Sequence, residues 1–220
     1  MIEAQPSIWI AGVRIDEPMT TLTDLLVSAI CFYAFYMLSK RKVESRAAIF
    51  VKYYFLTMGI ATGIGGIIGH GFLYAFSFGW KLPGWLTSMI SVALIERAVI
   101  EKAKPIISKT LATFFTWLNA VELLIFVTIT FVTLDFFFVE VHSAYGLLIV
   151  VTSFSLYTYS KKRNQGSKLF LIGVLLCAVS ALFFMNEWSL HTWFNYLDIS
   201  HVFMAMAAWQ FYRGALKFDS

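Results

Sequence analysis

Three polar residues near the end of the sequence have the spacing of one helix face. Asn195, Asp198 and His201 stand at i, i+3 and i+6, so their side chains lie along one side of a helix. A carboxylate one turn from an imidazole can orient the ring, or the two groups can bind one metal ion. Asn195 and Asp198 also suit the first turn of a helix, where they would act only as caps. The spacing therefore indicates either metal ligands or a capped helix.

A second candidate lies in the stretch GIGGIIGHGF, residues 63–72, where five glycines surround His70. Glycines four residues apart, such as Gly65 and Gly69, allow two membrane helices to approach closely. The bulk removed around His70 can also leave room for a metal ion, a water molecule or a lipid group. A single histidine in a membrane is often only an interhelical hydrogen-bonding group, so close packing and a ligand pocket both remain open.

The composition is that of a membrane protein. Hydrophobic residues make up 59% of the chain and charged residues only 14%, whereas a soluble domain carries about 25% charged residues. Apolar segments long enough to cross the hydrocarbon core as helices lie at about 20–39, 49–77, 83–101, 110–134, 137–159, 168–187 and 195–215. The sequence predicts an all-α, seven-transmembrane-helix bundle that forms a single integral membrane domain, residues 1–220.

The basic residues predict the orientation of this bundle. Of the 17 Lys and Arg residues, all except Arg14 and Lys81 fall on one side of the predicted membrane. Basic residues concentrate in cytoplasmic connections. We therefore expect the N-terminus outside, the C-terminus in the cytoplasm, and residence in the cytoplasmic (plasma) membrane. The net charge of +4 follows from this bias, so membrane lipids are the expected partners and a nucleic acid is not.

Four ionisable residues lie at one depth in this arrangement. Counting the helical rise of about 1.5 Å per residue places Asp24, His70, Asp198 and His201 in the outer half of the membrane. Glu17 lies just above the first helix. Ionisable groups are costly in hydrocarbon, at roughly 2.5–3.5 kcal/mol each on insertion scales. Their common depth on three helices predicts a shared polar pocket.

A further carboxylate, Glu122, lies near mid-depth on the fourth helix, three residues after Asn119. It is expected to be hydrogen-bonded to Asn119 or to a neighbouring helix, or to belong to a proton path.

The pattern resembles a known family. Seven helices with the N-terminus outside, acids at the start of the first helix, GIGxxxxH ending at His70 and a histidine in the last helix are similar to the CREST membrane-hydrolase superfamily. That superfamily includes the alkaline ceramidases and the adiponectin/progestin receptors. The resemblance implies a zinc ion held by one histidine of the second helix and two of the last. It also implies amide hydrolysis assisted by a serine and an aspartate.

The chain departs from this pattern at three points. Gly66 stands where the family has its serine. The second histidine of the last helix is missing, because Leu197 and Ala205 stand four residues either side of His201. The outer half of the third helix contains no aspartate.

With these departures, the predicted zinc ligands are His70, Asp198 and His201, with Asp198 replacing the missing histidine and one position open for water. The predicted reaction is attack of metal-activated water on a lipid amide or ester. Asp24 and Asp198 are the predicted catalytic carboxylates.

Two further residues are expected to support the ligands, Glu17 and Asn195. The acidic stretch that contains Glu17 and Asp24 also resembles the stretch that supports a calcium ion in ceramidases. The resemblance therefore implies a second, calcium cofactor near these two residues.

Other functions fit the same residues. A non-catalytic membrane sensor, or the partner subunit of another protein or of a second copy, would use the polar pocket only for hydrogen bonds. A haem protein would use His70 and His201 as axial ligands, and a transporter would use Glu122. A retinal protein is disfavoured because the last helix has no lysine near its middle.

Overall fold

The computed structural model describes residues 5–42 and 45–218. Within these residues the chain forms seven helices. They are α1 (Pro18–Ser39), α2 (Arg46–Gly71), α3 (Leu82–Ala103), α4 (Lys109–Thr133), α5 (Phe137–Lys162), α6 (Gln165–Met185) and α7 (Tyr196–Ala215). The predicted domain, 1–220, also includes residues 1–4, 43–44 and 219–220, which lie outside the described residues.

The prediction of an all-α fold with seven helices is confirmed. In the described part of the chain, six helices, α1 to α6, are long and apolar enough to cross a membrane. The protein is therefore a multi-pass membrane protein. The helix α7 is less apolar because it carries polar residues on its buried side, among them Asp198, Ser200 and His201.

Side-chain caps begin several of these helices. The Ser45 hydroxyl accepts a hydrogen bond from the Ala48 amide at 3.2 Å, which satisfies an amide in the first turn of α2. Ser108 begins α4 and Asn164 begins α6 in the same way. These three caps stand in the Lys- and Arg-rich connections, where the chain turns back into the apolar region.

The second helix is shorter than predicted. The apolar run predicts a helix to residue 77, but α2 ends at Gly71. Its last turns, Gly65–Gly71, form a π-helix, and two short 3₁₀ turns follow before α3. Glycine is a poor helix former. The glycine-rich run adopts a wider π-helix, and the helix ends with this run and does not extend into the aromatic residues that follow.

The helices close into a ring in the order α1, α2, α3, α5, α6, α7, with α7 against α1. The helix α4 packs outside this ring against α3 and α5. The main apolar core fills the half of the bundle next to the basic connections, where Phe55 on α2 and Phe170 and Phe211 on α6 and α7 are almost fully buried. The buried ionisable groups of α1, α2 and α7 lie toward the other end.

A short β-hairpin precedes α1 and was not predicted from the sequence. Strand β1 (Ile8–Ile10) pairs antiparallel with β2 (Val13–Ile15). The two residues between them, Ala11 and Gly12, have positive φ angles of 50° and 80°, as the tight turns of two-residue hairpins require.

The hairpin is attached to the end of α2. The Asp16 amide donates to the Gly71 carbonyl at 2.9 Å, and the Tyr74 hydroxyl donates to the Arg14 carbonyl at 2.8 Å. Partial burial raises the pKa of Asp16, but hydrogen bonds from the Ser7 hydroxyl and the Arg14 guanidinium hold that pKa below its ordinary value. The hairpin thus lies beside His70, one residue before Gly71.

Candidate metal centre

Three helices bring Asp24, His70 and His201 together. The Asp24 carboxylate lies 3.9 Å from Nε2 of His70 and 3.6 Å from Nε2 of His201. The centroids of the two imidazole rings are 6.1 Å apart. Each residue offers one ligand atom, and these atoms lie within 4.8 Å of one another. In a tetrahedral zinc site, ligand atoms at about 2.0–2.1 Å from the ion lie about 3.3–3.5 Å apart, close to the distances in this group.

The orientation of His70 is set by Glu17. Nδ1 of His70 lies 2.5 Å from the Glu17 carboxylate. A carboxylate beside Nδ1 favours the tautomer in which Nδ1 carries the proton and Nε2 is unprotonated, with a free lone pair. Glu17 itself has a left-handed backbone, with φ 41° and ψ 56°, directly before the first residue of α1. Such a conformation costs a non-glycine residue of order 1–3 kcal/mol and is concentrated at functional sites.

The orientation of His201 is set by Thr23. Nδ1 of His201 lies 3.1 Å from the Thr23 hydroxyl. The same hydroxyl lies 3.0 and 3.1 Å from the Met19 and Thr20 carbonyls, and it donates its one proton to them when Nδ1 is protonated. In that tautomer His201, like His70, presents Nε2 as a lone pair, and the two ring nitrogens and the Asp24 carboxylate face one another as acceptors.

The glycines of α2 make room for Asp24. A methyl group at Gly65 would lie 3.0 Å from an Asp24 carboxylate oxygen, and one at Gly66 would lie 3.0 Å from Asp24 Cβ. At Gly69 a methyl group would contact nothing within 4 Å. The glycine-rich stretch therefore contributes both close packing and space for a carboxylate beside His70.

Asp198 and Asn195 lie beside this group and outside it. The two residues form a reciprocal capping pair at the start of α7. The Asp198 carboxylate accepts a hydrogen bond from the Asn195 backbone N–H at 2.7 Å, and the Asn195 side-chain oxygen accepts one from the Asp198 backbone N–H. Asp198 also accepts hydrogen bonds from Gln5 at 2.6 Å and from Thr20 at 3.0 Å. Its two oxygens are thus occupied by protein donors, and the carboxylate that faces both histidines is Asp24.

Three residues of this network, Gln5, Thr20 and Thr23, were not identified from the sequence. Thr23 stands next to Asp24 and faces α7. The spacing of hydroxyl residues in a membrane helix does not indicate which of them face a neighbouring helix. Gln5 belongs to the segment before the hairpin; its side-chain oxygen accepts from the Met19 and Thr20 amides at 3.1 and 3.4 Å. It therefore links the start of α1 to Asp198 on α7.

The imidazole of His70 lies between Glu17 and Asp24. Glu17 contacts Nδ1 and Asp24 faces Nε2 of the same ring.

The chain belongs to the family of unknown function DUF6962, whose sequence profile matches residues 19–220. The matched range contains Asp24, His70 and His201 and begins two residues after Glu17. No curated protein and no solved structure matches the chain.

Proposed function

We propose that the protein is a metal-dependent hydrolase of a lipid amide or ester, with one zinc ion held by Asp24, His70 and His201. The observation that carries the proposal is the convergence of three acceptors, the two Nε2 atoms and the Asp24 carboxylate. Two imidazoles and one carboxylate with an open fourth position form a donor set of catalytic zinc sites. Asp24 thus takes the ligand position that the sequence assigns to Asp198.

The chemistry supplied by such an ion is a bound water molecule that becomes a nucleophile near neutral pH. The protein residues have separate tasks. Glu17 and Thr23 hold the Nδ1 protons of the two histidines, so that both Nε2 atoms stay available. Asp198 accepts from Thr20 and so fixes the start of α1 against α7.

The exposure of the site supports access from one side. The side chains of His70 and Glu17 are 21% and 36% exposed, whereas that of Asp24 is 8% exposed. A substrate carbonyl therefore reaches the centre along the side where His70 and Glu17 lie, and Asp24 stays shielded from competing water.

A lipid substrate is supported by the exposed apolar residues at the height of the centre. Leu22 and Leu26 on α1 and Ile67 on α2 are between 45% and 58% exposed. Leu22 and Leu26 stand two residues from Asp24 and so on another face of α1, where they contact acyl chains in a membrane. The centre thus lies at the depth of the bilayer lipids, and the substrate enters past the partly exposed His70 and Glu17.

The proposed arrangement places the centre in the outer half of the plasma membrane, with α7 as the seventh span. The N-terminus lies outside and the C-terminus in the cytoplasm. The distribution of the 17 basic residues supports this orientation. The two carboxylates that suggested calcium contact opposite nitrogens of His70, so the proposal includes no calcium ion.

The network around Asp198 favours a second candidate. Asp198 is fully buried, and its hydrogen bonds join the N-terminal segment, α1 and α7. A closed polar network of this kind is what a non-catalytic sensor or partner subunit would need. In that case the pocket would hold no metal ion.

Elemental analysis of the purified full-length protein, prepared without chelator, tests the two candidates. We expect one zinc ion at this centre in the wild type, and its loss in His201→Ala and Asp24→Asn. His191→Ala is the matched control, since His191 lies in an exposed loop, and it should keep the metal. A wild type whose metal content equals that of Asp24→Asn would rule out the hydrolase. A bound ion would be followed by assays against lipid amides and esters.

A further inference from the structure

A second group of ionisable residues lies between α3, α4 and α5. Glu96 and His142 are completely buried, and Glu122 is 8% exposed. Each offers a ligand atom, and these atoms lie within 4.8 Å of one another. The three residues form a cluster, named here the α3–α5 cluster, that shares no residue with the Asp24 centre.

The contacts of His142 fix which nitrogen carries the proton. Nε2 lies 3.0 Å from the Met89 carbonyl, which can only accept, so Nε2 is protonated and donates. Nδ1 lies 2.6 Å from a Glu122 carboxylate oxygen. A bare nitrogen and an ionised oxygen at that distance repel each other unless a cation, either a proton or a metal ion, lies with them.

The two carboxylates are only partly satisfied. Asn119 donates to Glu96 at 3.3 Å and to the Ala93 carbonyl at 3.1 Å. The other oxygen of Glu96 and the second oxygen of Glu122 have no hydrogen-bond partner among the described residues. Interhelical hydrogen bonds that served only to hold helices together would not leave two buried carboxylate oxygens unsatisfied.

The basic side chain that adjoins Glu96 in the sequence does not neutralise the cluster. Arg97 follows Glu96 in the sequence, but its guanidinium contacts Glu101 at 3.0 Å and the Thr116 carbonyl at 3.0 Å. A proton on Nδ1 of His142 balances one of the two carboxylate charges of Glu96 and Glu122 and leaves the other in a buried region. A divalent cation balances both.

The backbone of α5 leaves space at the cluster. Residues Tyr145–Val151 form a π-helix, and π-helical turns inside α-helices are frequent at functional sites. A methyl group at Gly146, in this segment, would collide with the unpartnered Glu96 oxygen and with Val92. The space that Gly146 leaves open is therefore the space into which this oxygen points.

The fully buried residues of α4 are mostly polar. Among the described residues they are Ala112, Asn119, Glu122 and Thr130. Phe115 and Phe126 are half-buried, and their rings pack against Phe154 and His142 of α5. In lipid such apolar contacts have little advantage over contacts with acyl chains, so the polar groups of α4, and what they bind, contribute to holding the helix in place.

We propose that the α3–α5 cluster binds a divalent transition-metal ion. The ligands are the carboxylates of Glu96 and Glu122 and Nδ1 of His142. Asn119 orients Glu96, and the Met89 carbonyl fixes the tautomer of His142. An imidazole with two carboxylates suits zinc, manganese or iron better than calcium or magnesium. The site is closed, so the ion joins α4 to α3 and α5. This site is independent of the proposed hydrolase centre.

The test is the metal content of full-length protein in detergent, measured for Glu96→Gln, Glu122→Gln and Asp24→Asn. We expect two ions per chain in the wild type and one in each variant. Glu140→Gln is the matched control, because Glu140 lies on α5 near His142 but outside the cluster, and it should keep both ions. Wild-type content in both Glu96→Gln and Glu122→Gln would overturn the proposal.

A second measurement does not depend on variants of the cluster. Asp24→Asn protein is stripped with chelator and titrated with cobalt(II). We expect a visible absorption band that saturates at one equivalent, and its absence would overturn the second site. Metal that is lost only in Asp24→Asn would leave the hydrolase centre standing and remove the α3–α5 site. Metal that is lost only in Glu96→Gln and Glu122→Gln would support the α3–α5 site and rule out the hydrolase centre.

Discussion

The tautomers of His70 and His201 decide what the pair can bind. Glu17 contacts Nδ1 of one ring and Thr23 contacts Nδ1 of the other; with both Nδ1 atoms protonated, both Nε2 atoms face Asp24 as lone pairs. Without these two partners each ring could turn or change tautomer, and one of the three acceptors would become a donor. The strained backbone of Glu17 is then explained by the need to place its carboxylate beside His70.

Replacing Glu17 by Gln tests this at the residue scale. A neutral amide is a weaker acceptor for the Nδ1 proton, and removing such partners of metal-bound histidines typically weakens metal affinity 10–100-fold. We expect a loss of about that size, measured by competition with a chromogenic chelator. Glu187→Gln, in an exposed loop, is the control and should bind as tightly as the wild type. Equal affinities for all three proteins would contradict the role given to Glu17.

The sequence predicted the depth of the site residues but not their rotation about each helix axis. Depth follows from counting residues along a helix, and it brought Asp24, His70 and His201 to one level. Rotation depends on which neighbours pack against each face. Asp198 stands at the same level, but the first turn of α7 turns it toward the Asn195 amide and Gln5, while α1 turns Asp24 toward the histidines.

Both polar groups of the bundle adjoin a π-helical segment that contains a glycine. In α2 the segment Gly65–Gly71 contains Gly66 beside Asp24, and in α5 the segment Tyr145–Val151 contains Gly146 beside Glu96. A π-helix widens the backbone locally, and the missing side chain leaves a carboxylate-sized space. Sequence periodicity predicted these segments as ordinary helix, because a π-turn changes the register without changing the composition.

Alanine substitutions at two glycines of the same segment test the packing of α2 on α1. A methyl group at Gly66 would lie 3.0 Å from Asp24 Cβ and 3.1 Å from the Thr21 carbonyl oxygen, whereas one at Gly69 would meet nothing within 4 Å. We expect Gly66→Ala to cost about 1–3 kcal/mol and to lower the metal content. Gly69→Ala should keep both properties. Thermal unfolding of the two variants in detergent makes the comparison, and equal midpoints would show that the close approach is unimportant.

The bundle as a whole is divided along its length. The apolar core occupies the half next to the basic connections, and the Asp24 centre lies toward the other end. Close packing of aromatic and small side chains stabilises the half that holds the core, while the carboxylate and the imidazoles of the Asp24 centre lie outside it. An ionisable group placed at Phe55 would lose this packing, because that side chain is fully buried.

The orientation of this division can be measured with single cysteines. Leu190 lies between α6 and α7, on the predicted outer side, and Lys161 lies near the end of α5 on the basic side; both are exposed. We expect a membrane-impermeant maleimide to label Leu190→Cys in intact cells and Lys161→Cys only after permeabilisation. The parent protein is the control for Cys31 and Cys177. The opposite pattern of labelling would invert the proposed topology.

The sequence predicted that Glu122 is hydrogen-bonded to Asn119 or to a neighbouring helix. The neighbouring helix is right, but its residue, His142, was not predicted, because Glu122 counts to mid-depth on α4 and His142 counts to the outer start of α5. The structure nevertheless joins them at 2.6 Å. When two helices differ in tilt and in axial offset, residues at different distances from their helix ends lie at the same height. Neither the tilt nor the offset can be read from composition.

The contact between α1 and α7 has a consequence for how the protein is made. Asp24 and His70 are synthesised early, but His201 belongs to the last helix and closes the ring against α1. During translation the group of Asp24, His70 and His201 cannot form until α7 has left the ribosome and inserted. The α3–α5 cluster is complete earlier, once α5 has been synthesised. The newly made chain thus acquires its two polar sites in a fixed order, and the one proposed for catalysis is assembled last.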